Sequence, residues 1–517
     1  MPGATCRGAS KRTAMEGCTF QGAALALLLL ASAIPASAAI DVGAYRITPS
    51  PTAVMVTFAN GPDSRGFSWQ TDTSVTESEV RLVAGAASPA DFETTPLVYT
   101  GTYVRVPDPD ANSHKVVAKG LQPGTAYSYR LGGAGRYVYG RTDVKPRASN
   151  QFTILNFNDA QLKDPSKIYY WENTLAASVR EIGGSARADF IINGGDFIDF
   201  NMKTNNVRVG RSVEWGIAAD PVTAFYNGVP WVSSSGNHDY DQYANRMAIE
   251  YPAGLVGCES LDYGNVHVAT IPHTGSNSFS TYAKYLNWLE ADLKADVAKG
   301  TTDWRIVCLH WGPYSTGDYA MDQPGSTNLA VRLGGICASN KVDLVLQAHD
   351  HTFTKTLPYR WSGAGWTVVP QDNVAINLTP ATCEYAGETW DRNPAGTYYL
   401  CCGCAGHRVG ENASYAASTG TKSYVNRLFR IMVGKIAVNS KWANAGDPSS
   451  SDLPHSMFGV IRIDGLRLSY DFYMVDDDGS QVLYDKLRIL KTASSGGTSA
   501  GGFSLEFVQG SRLASRP

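Results

Sequence analysis

A short apolar segment that ends in two histidines is the feature that most constrains the fold of this chain. Residues 342–346 are typical of a strand buried on both faces, and they lead directly to His349-Asp350-His351. Two imidazoles at a rigid strand end fill a core poorly and hold a metal ion well. The pair alone is weak evidence, so the question is whether other strands deliver further ligands.

Four other strand-like runs end in residues of the same kind. Each run is apolar, and Asp, Asn, Gln or His follows at its carboxyl end. The runs are 152–155 before Asp159 and Gln161, 189–192 before Asp196, 230–232 before Asn237 and His238, and 304–309 before His310. Ligands of open α/β sheets collect at the carboxyl ends of the strands. The series therefore predicts a metal site.

The remaining chain predicts two domains between two terminal segments. Residues 1–38 have the basic start, apolar run and small-residue end of a secretory signal, which predicts export. Residues 39–147 alternate short strands with turn residues, which predicts an all-β sandwich of fibronectin type III architecture with a packing or docking role. Residues 148–492 alternate strands with amphipathic helices, and 493–517 form a Ser- and Gly-rich low-complexity tail.

The sequence also predicts the positions of three helices and argues against a membrane span and against general nucleic-acid binding. Amphipathic spacing predicts helices over 169–182, 285–297 and 328–338. No segment after residue 38 is apolar for long enough to span a membrane. The formal charge of −3 argues against a general nucleic-acid binder, since such proteins are basic.

The cysteines and the remaining histidines are expected to have structural roles rather than to bind metal. Cys401, Cys402 and Cys404 cluster without the C-x-x-C spacing of a zinc site, and export favours a disulfide from Cys383 into the cluster. The strand residue His267 is expected to be packed and hydrogen-bonded. The remaining expectations are that His273 and His455 face solvent and that His407 is exposed, with a substrate contact as the alternative.

The motifs taken together resemble those of a known superfamily. The series Asp159, Gly195-Asp196, Gly236-Asn237-His238-Asp239, His310 and His349-Asp350-His351 resembles the calcineurin-like metallophosphoesterases. Within that superfamily the chain is most similar to the purple acid phosphatases, which place a fibronectin-like domain before the catalytic domain. The resemblance implies an N-terminal β-sandwich followed by an α/β four-layer β-sandwich domain.

The resemblance also implies a dinuclear metal centre and an activity. One metal ion would take Asp159, Asp196 and His351, and the other would take Asp196, Asn237, His310 and His349, with Fe, Mn, Zn or Mg as candidate ions. His238 would contact the phosphate and help to protonate the leaving oxygen. The implied activity is cleavage of phosphate monoesters by in-line attack of metal-bound hydroxide.

Three positions depart from the family pattern. Asp199 stands where purple acid phosphatases have the iron-ligating tyrosine that gives their colour, so we expect no such colour and a supporting role for Asp199 outside the ligand set. Gln161 stands where many relatives carry a ligand histidine, and its amide oxygen is a possible ligand. Ala348 replaces the usual glycine before the histidine pair.

Two alternatives to a phosphomonoesterase stay open. A phosphodiesterase of the same fold would share the metal ligands, and segments 201–212 and 311–326 would have to distinguish the two activities. A binding or adhesion protein with an inert site is the alternative from another class, since fold alone never proves activity. The complete ligand set argues against it. Substrate, metal identity and oligomeric state are not settled by the sequence.

Overall fold

The computed structural model of the protein describes most of the chain between residues 45 and 492. The described residues are 45–59, 61–275, 279–314, 324–351, 353–356, 358–361, 375–377, 381–406 and 456–492. The predicted signal segment, His407, His455 and the predicted tail lie outside these ranges, so they stay predictions.

The N-terminal strands form two facing antiparallel sheets. The elements are β1 (Thr52–Thr57), β2 (Arg65–Thr71), β3 (Glu79–Ala84), α1 (Asp91–Thr94), β4 (Leu97–Thr100), β5 (Thr102–Val106), β6 (Ala111–Ala118), β7 (Thr125–Gly133) and β8 (Arg136–Val144). One sheet has the order β4-β3-β7-β8, and the other contains β1-β2-β6-β5. Phe67, Trp69, Leu82 and Tyr129 are buried between them. The predicted β-sandwich is confirmed.

The following elements alternate strands with helices. They are β9 (Gln151–Phe157), α2 (Ile168–Ile182), β10 (Phe190–Asn193), β11 (Lys203–Thr204), β12 (Val207–Arg208), α3 (Arg211–Tyr226), β13 (Trp231–Ser233), α4 (Tyr243–Arg246), β14 (Glu259–Tyr263), β15 (Val266–Ile271), α5 (Phe279–Lys299), β16 (Trp304–Trp311), α6 (Pro324–Ser339) and β17 (Leu344–Ala348). Strands β9, β10 and β13 pair in parallel, and so do β15, β16 and β17.

Shorter strands and a three-stranded meander complete the described chain. They are β18 (Phe353–Lys355), β19 (Tyr359–Trp361), β20 (Ala375–Asn377), β21 (Ala381–Tyr385), β22 (Glu388–Arg392), β23 (Tyr398–Cys402), β24 (Ser456–Asp464), β25 (Arg467–Val475) and β26 (Gln481–Leu490). The meander β24-β25-β26 joins the edge of β9, and β23 lies beside β17.

Four layers make up the second half of the fold. The strands around β9 and β10 face the strands around β16 and β17, with Ile154, Ile192, Ile306 and Leu346 buried between the two sheets. Helices α2 and α3 cover the outer face of the first sheet through residues such as Trp171. Helices α5 and α6 cover the other sheet. Burial of both sheets on both faces explains why their strands are continuously apolar, and the predicted four-layer fold is confirmed.

The two sandwiches share one continuous sheet. Thr57 of β1 pairs in parallel with Trp231 of β13, which joins the N-terminal strands to those of the second domain. The described strands of this sheet follow the order β21-β22-β26-β25-β24-β9-β10-β13-β1-β2-β6-β5. The N-terminal domain is therefore bonded edge to edge with the sheet that carries Asp159 and Asp196.

Of the helices in the described part of the chain, α5 and α6 extend beyond their predicted bounds, while the long helix α3 and the one-turn helices α1 and α4 were not predicted. Helix α2 matches its prediction and ends at Gly183, whose φ of 73° terminates it. Helix α3 contains Pro221 and is buried on nearly all sides, so it lacks the one-sided apolar pattern by which the others were found. Among the described helices, none has the length and apolar character needed to cross a membrane.

Candidate metal centre

Five strand ends bring the predicted ligands to one end of the two facing sheets. The residues are Asp159 after β9, Asp196 after β10, Asn237 and His238 after β13, His310 within β16, and His349 and His351 after β17. Because the carboxyl ends of parallel strands meet at the same edge, residues far apart in sequence become neighbours. The structure brings together all of the residues that the sequence predicted for the site.

Unusual backbone conformations aim several of these side chains. Asp159 and Asp196 both have a φ of 49°, and His349 has a φ of 71°. Such left-handed values are uncommon outside glycine and cluster at functional sites. Gly236 lets two loops meet, since a Cβ there would lie 2.0 Å from Oδ1 of Asp196. The local backbone is shaped around the position of this carboxylate.

Asp196 lies at the middle of the cluster. Its Oδ2 is 3.3 Å from Nε2 of His310, and the same oxygen accepts a hydrogen bond from Nε2 of Gln161 at 2.8 Å. Its Oδ1 accepts the backbone N–H of His238 at 2.8 Å. The carboxylate is 1% exposed. Its contacts come from residues that follow β9 and β13 and from one within β16, so this single carboxylate joins three strand ends of the site.

His310 is held so that one ring nitrogen faces the cluster. Nδ1 donates to the carbonyl oxygen of Gly194 at 2.9 Å, which leaves Nε2 as the acceptor nitrogen of the neutral ring. Nε2 lies 2.9 Å from Oδ1 of Asn237 and 3.1 Å from Nδ1 of His349. Three ligand-type atoms thus converge on one small space.

The other side of the cluster is built around Asp159. Its Oδ1 lies 3.6 Å from Nε2 of His351, and its carboxylate accepts the backbone N–H of His349 at 3.2 Å. His310 Nδ1 is 3.9 Å from Oδ1 of Asp159, so the two sides adjoin. The aspartate is fully buried at the end of β9.

The charges of the cluster shift the pKa values of its members. Burial alone would raise the pKa of Asp196, but the charge and hydrogen bond of His310 outweigh it and hold the pKa well below its ordinary value. Burial alone would lower the pKa of His310, but Asp196 and Asp159 raise it to about 9. Burial and the charge of His310 lower the pKa of His349. The buried carboxylates of this cluster therefore need cationic partners to stay ionised.

These residues fit a metal centre. Asp196, His310 and His349 each offer a ligand atom, and the three atoms lie within 4.8 Å of one another. Carboxylate, amide and imidazole donors in one buried cluster suit Fe, Mn or Zn, whereas Mg²⁺ favours oxygen ligands. In its neutral form, with the proton kept on Nδ1 by the Gly194 carbonyl, His310 would present the Nε2 lone pair to the same space. The resemblance noted in the sequence implies a dinuclear centre, and the donors present here are compatible with it.

His238 and Asp199 lie beside the ligands. Nδ1 of His238 donates to the carbonyl oxygen of Asp199 at 2.7 Å, and Nε2 lies 3.8 Å from Oδ2 of Asp196. The Asp199 carboxylate is 3.8 Å from His238 Nδ1. Gln161 presents its amide nitrogen to Asp196, so ligation through its oxygen would require the amide to turn. The structure thus places Asp199 beside His238, and its supporting role stays a prediction.

Asp239 and His273 contribute contacts that sequence reasoning missed. Asp239 accepts the N–H groups of Phe197 and Gly236 at 2.6 and 2.7 Å, and burial with the nearby charge of Asp196 raises its pKa to about 8. Its place in the Gly236–Asp239 motif was the available signal. The prediction that His273 faces solvent is wrong: it is 3% exposed, and its ring lies 5.7 Å from that of His310. Its N–H donates to the Ser235 carbonyl, which draws the loop inward.

A second histidine–carboxylate cluster lies away from the strand ends. His267 faces Asp262 through Nδ1 at 2.8 Å and Asp292 through Nε2 at 2.9 Å, as expected for a packed and hydrogen-bonded residue. The neighbouring Asp296 accepts Arg305 Nε at 2.7 Å, and Lys299 contacts both Asp262 and Asp296. Since three protein cations already balance the three carboxylates, this cluster is an ion-pair network rather than a metal site.

The predicted disulfide is wrong. All seven cysteines within the described ranges have free thiols, including Cys383, Cys401, Cys402 and Cys404. Cys383 lies on β21 at the edge of the large sheet, whereas Cys401 and Cys402 lie on β23 in the other sheet. The cluster residues are buried, and Cys401 Sγ donates to the carbonyl of Asp350 at 3.1 Å. They pack beneath the histidine loop.

Comparisons with known proteins agree with this geometry. The family described as calcineurin-like phosphoesterase matches residues 152–353, and the family described as purple acid phosphatase, N-terminal domain matches residues 51–153. Human acid phosphatase type 7 is 25% identical over 335 residues, covering 60% of this chain and 71% of that protein. Arabidopsis thaliana purple acid phosphatase 21 is 21% identical over 259 residues, covering 47% and 53% of the two chains.

A solved structure supports the fold in particular. A purple acid phosphatase from yellow lupin (Lupinus luteus) seeds superposes with a TM-score of 0.58 at 14% identity. The superposition covers 88% of this chain and 78% of the lupin chain. At this identity the likeness concerns the fold, and it extends over both sandwiches.

Proposed function

We propose, from its similarity to the calcineurin-like phosphoesterases and to the N-terminal domain of the purple acid phosphatases, that the chain hydrolyses phosphate monoesters at a dinuclear metal centre. Its class, a metal-dependent phosphoric ester hydrolase, is the one that these similarities indicate. The monoester preference and the roles of individual residues are the proposal.

The position of Asp196 is the observation that carries the proposal. Oδ2 of this buried carboxylate contacts both Gln161 and His310, and Oδ1 accepts the backbone N–H of His238, so both oxygens are engaged within the cluster. We propose Asp159, Asp196 and His351 as the residues that hold one metal ion. Asp196, Asn237, His310 and His349 would hold the other. When bound, such ions acidify a water molecule and neutralise phosphoryl oxygens.

His238 is proposed to move the proton that the reaction needs. Its Nδ1–H is committed to the Asp199 carbonyl, so Nε2 is the nitrogen that faces the cluster. When the P–O bond to the alcohol breaks and a water oxygen forms the new P–O bond, the leaving oxygen must gain a proton. A protonated Nε2 is placed to donate it, as general acids do.

The preference for monoesters would be decided by the segment that follows Asp199. This segment contains the β11–β12 hairpin and the start of α3. Arg208 donates to the carbonyl of Phe200 and pairs with Asp108 of the N-terminal sandwich at 3.2 Å. The second ester group of a diester would have to fit beside this hairpin and the start of α3. The sequence also pointed to segment 311–326 for this distinction, and residues 315–323 of that segment lie outside the described residues.

Export is part of the proposal. It rests on the signal-like pattern of residues 1–38, which is independent of the metal site. Expression of the full chain with an epitope at its C-terminus, followed by fractionation and N-terminal sequencing, would test it. Retention in the cytoplasm with residues 1–38 still attached would refute export without affecting the enzymatic proposal.

Hydrolysis of two matched esters tests the activity. The protein without residues 1–38 is loaded separately with Fe, Mn, Zn and Mg and given p-nitrophenyl phosphate or bis-p-nitrophenyl phosphate. We expect turnover of the monoester to exceed that of the diester and to be lost in Asp196→Asn. Preference for the diester would favour the phosphodiesterase, and no turnover of either ester with any of the metals would contradict the proposal.

A further inference from the structure

Glu214 is a buried carboxyl without a role in the mechanism described so far. It lies in the first turn of α3 and is 0% exposed. Its Oε1 accepts the backbone N–H of Asp199 at 2.6 Å. Burial and the charge of Asp199 raise its pKa to about 8, while the backbone amides of Asp199, Met202 and Phe200 oppose the rise. The side chain thus faces the turn that follows Asp196.

The same residue of that turn also holds His238. The N–H of Asp199 donates to Glu214, and its carbonyl oxygen accepts the Nδ1–H of His238 at 2.7 Å. A hydrogen bond at each end of one residue fixes the position of its carbonyl. The carbonyl can only accept, so it also dictates which nitrogen of the His238 ring carries the proton in the neutral form.

The start of α3 is itself fixed by the N-terminal sandwich. Ser212 donates its N–H to the Asp108 carbonyl at 2.8 Å, and its own carbonyl accepts Nε2 of Gln70 at 3.0 Å. Its hydroxyl accepts from Arg246 at 2.8 Å. These contacts lie one helical turn or less from Glu214, so the carboxyl is a fixed point to which the Asp199 turn is attached.

We infer that Glu214 is a positioning residue for His238: it holds the Asp199 carbonyl so that Nδ1–H is engaged and Nε2 faces the reacting ester. This inference rests on the proposed function, in which His238 protonates the leaving oxygen. It also gives the N-terminal sandwich a part in the reaction, because the sandwich fixes the helix that carries Glu214.

A positioning role makes a specific prediction about leaving groups. An alkoxide leaving group depends on protonation, whereas p-nitrophenolate leaves readily without it. Disorienting His238 should therefore slow the hydrolysis of alkyl phosphates far more than that of p-nitrophenyl phosphate. A merely structural residue would change both substrates by the same factor.

The test compares three variants of Glu214 with a control on the same helix. Glu214→Met removes the acceptor, Glu214→Asp shortens the side chain by one methylene, and Glu214→Gln keeps an acceptor oxygen at the same reach. The control is Asp220→Asn, since Asp220 is a half-buried carboxyl of α3 that accepts the N–H of Ala53 at 2.7 Å. Each is assayed on an alkyl phosphate and on p-nitrophenyl phosphate.

We expect Glu214→Met and Glu214→Asp to lose about tenfold or more in kcat on the alkyl ester, with KM changed by less than about twofold. The loss on p-nitrophenyl phosphate should stay below about threefold. Glu214→Gln and Asp220→Asn should resemble the wild type on both esters. Equal losses on both esters, or a Gln variant as slow as the Met variant, would overturn the inference.

A double variant and a spectroscopic readout complete the test. Glu214→Met combined with His238→Asn should be no slower than His238→Asn alone, because both changes remove one proton transfer. In ¹⁵N-histidine-labelled protein, His238 should carry its proton on Nδ1 in the wild type and show mixed tautomers in Glu214→Met. The spectrum needs no turnover, so inactivity of the wild type would refute the proposed function and leave the positioning test intact. An unchanged tautomer would refute the positioning role.

Discussion

The ion-pair network around His267 makes a quantitative prediction about pH and stability. Both ring nitrogens face carboxylates, Nδ1 towards Asp262 and Nε2 towards Asp292, so both must donate and the ring must be an imidazolium. Burial alone would lower the pKa of His267, but the hydrogen bonds to these aspartates and the charges of Asp292 and Asp296 raise it to about 9. The ring is 4% exposed.

The magnitude follows from the difference between the folded and unfolded pKa values. The ordinary histidine pKa of 6.5 and the folded pKa of about 9 correspond to about 3 kcal/mol of stability. Because the folded pKa is raised, this contribution is fully present below the unfolded pKa of His267 and is lost as the pH rises through about 9. The substitution His267→Gln removes the titrating group and keeps polar contacts.

The assay is urea unfolding of the wild type and of His267→Gln, followed by tryptophan fluorescence. The difference in unfolding free energy should shrink by about 3 kcal/mol between about pH 6 and about pH 9.5. His114→Gln is the matched control. Burial lowers the pKa of His114 to about 4, so the wild type should gain stability relative to that variant over the same interval.

A difference between the wild type and His267→Gln that does not change with pH would refute this reasoning. It would mean that His267 is neutral in the folded protein and does not balance the charges of Asp262 and Asp292. A change of the same sign in the His114 control would instead point to a general effect of pH on the fold.

Three further predictions concern the site and its surroundings. Gly236→Ala should lower the free energy of unfolding by about 1–3 kcal/mol and reduce hydrolysis, because the new Cβ would lie 2.0 Å from Oδ1 of Asp196. Thermal unfolding and ester assays check this, with Gly61→Ala as the control. An unchanged Tm with full activity would contradict it. Asp239→Ala should lower the free energy of unfolding by about 1–3 kcal/mol for each of the two N–H groups left without their acceptor. Urea unfolding measures this loss, and a smaller value would contradict the role given to Asp239. In a colorimetric thiol titration without reductant, denatured protein comprising residues 39–517 should show seven reactive thiols. In the native state Cys383 should react fastest. Fewer than seven thiols after denaturation would indicate a disulfide.

The candidate metal ligands could be predicted because each lies at or near the end of a buried strand. An apolar run followed by Asp, Asn or His is a local signal, and the parallel sheets supply the long-range juxtaposition. The family resemblance based on these motifs is confirmed, and so are the two-sandwich fold and the enzyme class. The fibronectin type III assignment, the domain boundaries and export stay predictions.

What the sequence did not reveal depends on contacts between distant elements. Helix α3 is buried on nearly all sides, so it shows no amphipathic period, and with it Glu214 went unnoticed. His273 follows a proline in loop-like sequence, yet its N–H bond to Ser235 draws it to the site. The disulfide prediction failed because Cys383 and the cysteine cluster belong to different sheets, a separation that spacing in sequence cannot show.

The metal content of the protein tests the central claim most directly. Wild-type protein and Asp196→Asn are stripped with a chelator, reloaded with Fe, Mn, Zn or Mg, desalted, and analysed for bound metal and for circular dichroism. The account predicts two ions per wild-type chain with at least one of these metals, and fewer in Asp196→Asn with the fold retained. One ion or none in the wild type with all four metals, or an unchanged content in the variant, would contradict a centre built around Asp196.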